Sequence, residues 1–209
     1  IIAQYERNLP FYKGGGITVT GGEPLMQVDF LIELFTLAKE KGIHTCIDTS
    51  GIAYKPDNTA YIEKLDKLMP LTDLVMLDIK HIDPEKHKEL TSQPIDGILA
   101  FCEYLNKKKV DMWIRHVVVP TITDDDKYLY QLGYFIGQFS NVKALDVLPY
   151  HTMGKPKYDQ LGMAYKLDGI PAMDKNKVIE KKQVILQGIK DRRAEMKSET
   201  TTAAGCPHH

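Results

Sequence analysis

Long apolar runs are missing from this chain of 209 residues, and so is an excess of either charge. No stretch approaches the roughly 18 consecutive apolar residues of a membrane-spanning helix. Basic and acidic side chains number 27 and 28, giving a net charge of -1, so no global positive field points to nucleic acid. Cysteine is scarce: Cys46, Cys102 and Cys206 lie too far apart to form a CxxC pair. That excludes a disulfide-stapled secreted domain and fits a reducing cytoplasm. No Gly-Lys-Ser/Thr marks a phosphate loop, and no Gly-x-Ser-x-Gly elbow presents a serine nucleophile. Gly14-Gly15-Gly16 precedes its strand, where a dinucleotide fingerprint would follow one.

What is present suits a globular domain. Hydrophobic residues make up 43% of the chain, enough for a sizeable core. The sequence opens on Ile1 with no signal-peptide pattern, and Ile1 to Tyr12 is compatible with the end of a helix whose preceding strand lies upstream. From Ser198 to His209 apolar periodicity is lost. The expectation is one domain over 1–193, with 194–209 a disordered tail or cloning remnant. Cys206, His208 and His209 are metal-ligand types, but a flexible end makes a poor metal site.

Strand-like and helix-like runs alternate between those ends. Ile17 to Thr20 is β-prone, and Val28 to Lys41 repeats apolar residues on one helical face before Gly42. Ile43 to Asp48 is a strand and Tyr61 to Met69 a helix. Leu74 to Ile79 is almost wholly apolar, as in a parallel strand covered on both faces. Ile95 to Lys108 is a helix, Met112 to Val119 a strand, Tyr128 to Phe139 a helix and Val142 to Leu148 a strand. Lys175 to Arg192 closes the series as a helix. Five strands separated by helices predict an α/β fold with a parallel sheet. A doubly wound sheet and a partial barrel of six strands, the first lying upstream, fit equally.

Parallel α/β sheets bind ligands at the carboxyl ends of their strands, and polar residues collect there. The strand ends read Gly21-Gly22-Glu23-Pro24, Asp48-Thr49-Ser50-Gly51, Asp78-Ile79-Lys80, Arg115-His116 and Tyr150-His151. A glycine pair makes a tight turn, and it also lets a ligand reach the backbone. Asp48 is placed either to cap its loop or to bind. Asp78 and Lys80 are two apart on one strand and face the same way, as an ion pair or as ligand contacts. Arg115, inside an apolar strand, needs an anionic partner. His116 points opposite to Arg115, toward a helix, and His151 follows a buried strand and suits ligand contact. His44, His81 and His87 read as surface or packing histidines.

These blocks together resemble the radical S-adenosylmethionine enzymes, and within them the glycyl-radical enzyme activases. The resemblance rests on the Gly14–Glu23 block, Gly42–Thr49, Asp73–Lys80, Trp113–Pro120 and Leu148–His151 with Gly154-Lys155 beyond, in order along the chain to about Arg192. It implies a partial (β/α)6 TIM-like barrel whose first strand and cluster loop are missing here. It implies S-adenosylmethionine and a 4Fe-4S cluster held by a CxxxCxxC loop. One-electron reduction then yields a 5′-deoxyadenosyl radical that takes a hydrogen from a glycine of a partner enzyme. Pyruvate formate-lyase is the partner implied, and a flavodoxin or ferredoxin-type protein the reductant. By matching position, Gly21, Gly22 and Glu23 receive the methionyl amino group, and Lys80 contacts the methionine carboxylate or ribose side. Arg115, Val117 and His151 line the cofactor and incoming glycine, with Asp48 also assigned to the cofactor. Asp48, Thr49, Met76 and Asp78 match a monovalent-cation site, sensible where carboxylates would otherwise repel.

One departure is large: no CxxxCxxC occurs, and Cys46 and Cys102 match no cluster position. The sequence as given is therefore expected to be inactive alone. Two other readings remain at this stage, a Schiff-base aldolase using Lys80 and a non-catalytic binding module.

Overall fold

The computed structural model describes residues 1–12 and 14–204, without the side chains of residue 157 and of 200–204. Helix α1 (Ile2–Asn8) leads to strand β1 (Ile17–Val19), then α2 (Val28–Glu40), β2 (Thr45–Thr49), α3 (Thr59–Leu68) and β3 (Leu74–Asp78). Two helices follow, α4 (Pro84–Thr91) and α5 (Asp96–Lys108), before β4 (Asp111–Val118), α6 (Asp126–Gly137) and β5 (Val142–Pro149). The chain ends in α7 (Lys155–Gln160) and α8 (Lys175–Ala204). The strands form one sheet in the order β1-β2-β3-β4-β5, and β1, β2 and β3 pair in parallel. This is the α/β fold with a parallel sheet that the alternation implied.

By its contacts the chain divides into two compact units: Ile1–Ile79 with Ile95–Ile114 and Asn141–Ala144, and Lys80–Pro94 with Arg115–Ser140 and Leu145–His209. In the first, Leu31, Phe35 and Ala38 of α2, Ile47 of β2, Leu65 and Leu68 of α3 and Phe101 of α5 are fully or almost fully buried. Asp73 fastens the start of β2: its carboxylate accepts from the Thr45 N–H (2.8 Å) and from Lys39, while the Thr45 hydroxyl donates to the Leu71 carbonyl at 2.6 Å. Burial opposes charge on Asp73, but Lys39 and Thr45 outweigh it and hold the carboxyl below its usual range.

In the second unit α6 and α8 approach backbone to backbone. A Cβ on Gly133 would lie 2.0 Å from the Ile185 carbonyl oxygen, and one on Gly188 would lie 2.3 Å from that of Tyr130. The crossing is tied at its edges by Tyr130 donating to Asp191 (3.0 Å), by Tyr134 donating to Glu195, and by Lys181 with Asp126 at 2.7 Å.

Several expectations need correction. β3 is not covered on both faces: Val75 and Leu77 are buried, whereas Leu74, Met76 and Asp78 are half-buried. Helix α8 does not stop near Arg192 but continues to Ala204, so the expected tail is helical as far as that residue. The extension holds because Glu195 accepts from Tyr134, and Arg192 faces both Glu195 (3.5 Å) and Glu199 (3.6 Å) along one side. Cys206, His208 and His209 lie outside the described residues. Helix α4 escaped sequence reading because it buries only His87. It forms through its ends: Asp83 accepts from the Lys86 N–H at 3.0 Å, and Pro84 occupies the first turn.

His81 and His87 are indeed packing histidines, each 1% exposed. Burial lowers both imidazoles below the ordinary 6.5; for His81, neighbouring His116, Lys86 and His87 add to this and Asp83 opposes it. The unfolded chain therefore binds more protons than the native one below about pH 6.5. Stability from these groups is complete above that pH and is lost as pH falls toward their native values. A chain with His81→Phe and His87→Phe should show a shallower loss of Tm between pH 7.5 and pH 5.5 than the unaltered chain. Gly133→Ala, which forces α6 off α8, should cost about 1–3 kcal/mol in chemical denaturation.

Candidate functional site

The turn after β1 is built around Glu23. Its carboxylate accepts four hydrogen bonds: at Oε1 from the Leu25 N–H (3.1 Å) and Thr49 hydroxyl (2.5 Å), at Oε2 from the Ser50 N–H (3.1 Å) and Ser50 hydroxyl (2.5 Å). The bond to Leu25 caps the short helical turn that Pro24 begins, and the other three reach the loop after β2. Thr49 relays the grip, since its hydroxyl also accepts from the Gly51 N–H at 2.9 Å. Tyr61 braces the same turn by donating to the Leu25 carbonyl at 3.0 Å. Burial, and then the Glu23 charge, raises the Tyr61 phenol above its ordinary value, so it remains a donor.

The glycines outside this clamp are bare. Gly21 and Gly22 are exposed, and a Cβ on either would meet nothing within 4 Å. Gly21 has φ +116°, a conformation that residues with side chains rarely adopt. A cleft of about 290 Å³ runs beside this turn, lined by Thr20 to Pro24 and by Gln27, Phe30 and Leu31. Backbone carbonyls and N–H groups in such a turn can receive the charged end of an amino acid. The two oxygens of Glu23 already accept four hydrogen bonds from protein donors, so in this structure its carboxylate positions the turn.

Asp48, half-buried at the end of β2, accepts from the Thr20 hydroxyl at 3.4 Å. Met76 is its register partner on β3, and Asp78 ends that strand on the same half-buried face. The structure thus brings Gly21, Gly22, Glu23, Asp48, Thr49, Met76 and Asp78 together at adjacent strand ends of the first unit. Lys80, Arg115, Val117 and His151 belong to the second unit. Lys80, Arg115 and Val117 are half-buried and His151 is exposed. His116 shares the buried face of β4 with Met112, Ile114 and Val118, opposite Arg115, as alternation required.

Sequence reading missed Ser50 and Thr123. Buried Thr123 accepts from the Val119 N–H (2.7 Å) and donates to the Val117 carbonyl (2.8 Å), fixing the turn after β4. Ser50 stood in a polar strand-end block with no role assigned to it, and Thr123 in no such block; the bonds of both are visible only once the loops are folded.

Donors for an iron–sulfur cluster are lacking among the described residues, which contain no group of three or more His, Cys, Asp or Glu able to hold a metal ion. Cys46 and Cys102 are buried, and burial pushes the Cys102 thiol up to about 12, so it stays protonated. The bare Gly21–Gly22 turn, by contrast, fits the amino-acid end of S-adenosylmethionine.

A family model described as the Radical SAM superfamily matches residues 1–132, and the chain belongs to that superfamily. Over 174 residues it is 52% identical to a pyruvate formate-lyase-activating enzyme of Listeria monocytogenes, a match spanning 80% of this chain and 70% of that one. A pyruvate formate-lyase-activating enzyme of Streptococcus mutans is 47% identical over 171 residues, 82% of this chain and 65% of that one. In fold, the chain is similar to the crystal structure of a domain of pyruvate-formate lyase-activating enzyme from Bacteroides vulgatus, with TM-score 0.66 and 22% identity over 83% of this chain and 94% of that one. The family implies S-adenosylmethionine and a 4Fe-4S cluster, and the first has a fitting turn here.

Glu23→Ala leaves the Leu25 and Ser50 N–H groups without their acceptor and should cost about 2–3 kcal/mol in denaturation. Glu23→Gln should lose less stability, because one oxygen still accepts. Both variants should weaken S-adenosylmethionine binding more than tenfold in calorimetry; unchanged affinity in Glu23→Ala would show that the turn holds without its clamp.

Proposed function

We propose that this chain is the cofactor-binding body of a radical S-adenosylmethionine activase that installs a glycyl radical on pyruvate formate-lyase. The observation carrying this reading is the 52% identity over 174 residues to an enzyme of that name, in a chain whose glycine turn suits the cofactor. The Gly21–Gly22 backbone receives the methionyl ammonium, and Glu23 keeps that backbone in place. Asp48, Thr49, Met76 and Asp78 hold a monovalent cation near the methionyl carboxylate, where a cation relieves repulsion between carboxylates. Lys80 serves the methionine carboxylate or the ribose side. Arg115, Val117 and His151 line the approach of the cofactor and of the partner's glycine.

A 4Fe-4S cluster, when bound, would supply one-electron chemistry, and the described residues offer no ligand set for it. This chain's part is to bind, orient and keep water away from a reactive site. A flavodoxin or ferredoxin-type protein is the proposed reductant. A Schiff-base role for Lys80 leaves the glycine turn and the Glu23 clamp without purpose, and the family favours the activase.

The test uses the chain within a longer protein that includes a cluster-binding loop, reconstituted anaerobically with reductant, S-adenosylmethionine and pyruvate formate-lyase. A glycyl-radical signal in electron paramagnetic resonance is expected, and its absence with active cluster refutes the reading. In the same protein, Lys80→Ala should raise the Kd for S-adenosylmethionine about tenfold while leaving Tm within a few degrees; an unchanged Kd would remove Lys80 from the cofactor.

A further inference from the structure

The second unit holds a cleft of about 360 Å³ that the assignments above leave unused. Lys86 and Leu90 of α4 form one wall, the Thr121–Ile122 turn after β4 a second, and Lys166–Leu167 beyond α7 a third. All three walls are loops or helices that follow the carboxyl ends of strands, where α/β proteins place their binding groups. We propose that this cleft seats an extended acidic segment of the partner protein, with an aliphatic side chain between Leu90, Ile122 and Leu167 and a neighbouring carboxylate between Lys86 and Lys166. The proposal rests on the reading that the chain acts on a glycine of another protein.

The two cations are held in position before any ligand arrives. Lys166 donates to the Ser92 hydroxyl at 2.6 Å and to the Glu89 carbonyl at 3.3 Å, so its ammonium sits at the C-terminal end of α4. Lys86 lies over the Tyr128 ring, 5.5 Å from its centre. Among the described residues Glu89 is the one acid in the lining, against two lysines, which leaves the cleft positive and complementary to an acidic segment. Cations fixed in this way lose little side-chain freedom when a carboxylate binds.

The second wall is strained. Thr121 has φ +64°, and a β-branched residue in the left-handed region is a genuine outlier. The turn is over-determined from behind, since the Val119 carbonyl accepts from the N–H groups of Ile122 (3.1 Å) and Thr123 (2.9 Å). Strain maintained by its surroundings at the wall of a cleft is characteristic of binding loops. Three half-buried aliphatics converging from separate elements give that cleft an apolar floor.

The experiment is a calorimetric titration of this chain with intact pyruvate formate-lyase. Lys86→Glu alone should raise the Kd at least threefold, and Lys86→Glu with Lys166→Glu at least tenfold. Arg193→Glu on α8, the control for general charge, should leave it within twofold. Because Lys166 also closes the end of α4, the single Lys86→Glu variant decides the matter should the double variant fold poorly. An affinity unchanged in Lys86→Glu overturns the cleft assignment, as does an equal loss in Arg193→Glu. If the unaltered chain binds no glycyl-radical enzyme at all, the activase reading fails first.

Discussion

The carboxylate of Glu23 is the constraint on which the first unit's rim depends. Four protein donors converge on its two oxygens, three of them from the loop after a different strand. An ionised carboxylate is the side chain that offers acceptor sites alone and enough of them. Aspartate is one methylene shorter, and glutamine would present two donors to a set of donors. Through this one group the turn after β1 and the Thr49–Ser50–Gly51 turn become a single piece, and the exposed Gly21–Gly22 backbone inherits their rigidity. A bare glycine turn is otherwise the most mobile place in a chain, because glycine gives up the most conformational freedom on ordering. The clamp thereby holds that exposed backbone in one preformed shape.

The second unit achieves the same end with packing. Gly133 and Gly188 let α6 and α8 touch backbone to backbone, with Tyr130 and Tyr134 tying the long helix after the crossing and Lys181 with Asp126 before it. On this base the loops are pinned individually: Thr123 holds the turn after β4, Lys166 closes α4, and the Tyr150 and Tyr165 hydroxyls bond at 2.9 Å. Loops carry recognition when a rigid scaffold aims them. Thr123 acts within its own turn, whereas Lys166 and the tyrosine pair join segments that are separate in sequence.

That distance explains what was legible in the sequence and what was not. Apolar periodicity located α2, α5 and α6 within a few residues, because each buries a stripe whose spacing is written locally. The glycine–glutamate turn and the strand-end acids stood out by their place at strand ends and by the family resemblance, although each residue type also has a structural use there. Helix α4 was invisible because its stability comes from Asp83 and Pro84 at its end and not from an apolar face. The extension of α8 was missed for a related reason: its partners, Tyr134 and Arg192, are remote from the stretch that looked featureless. Most instructive is Glu23, whose place in a motif was evident while its mode of action was not. Nothing local to Gly21-Gly22-Glu23 tells that Ser50 and Thr49 would occupy its oxygens.

The buried cysteines then separate recognition from redox chemistry. Cys102 is wholly buried in the core, where burial pushes its thiol up to about 12. Burial that serves core packing thus removes this residue from cluster chemistry, and the described residues hold no other ligand set. The clamped turn and the lysine-flanked cleft are complete in the folded chain, whereas the strand-end acids are proposed to work with a monovalent cation. Cofactor binding and partner binding, as proposed, draw on these features and are separable from electron delivery. Each can be measured as an equilibrium affinity, so a loss of affinity in a variant reports on recognition and not on the radical step.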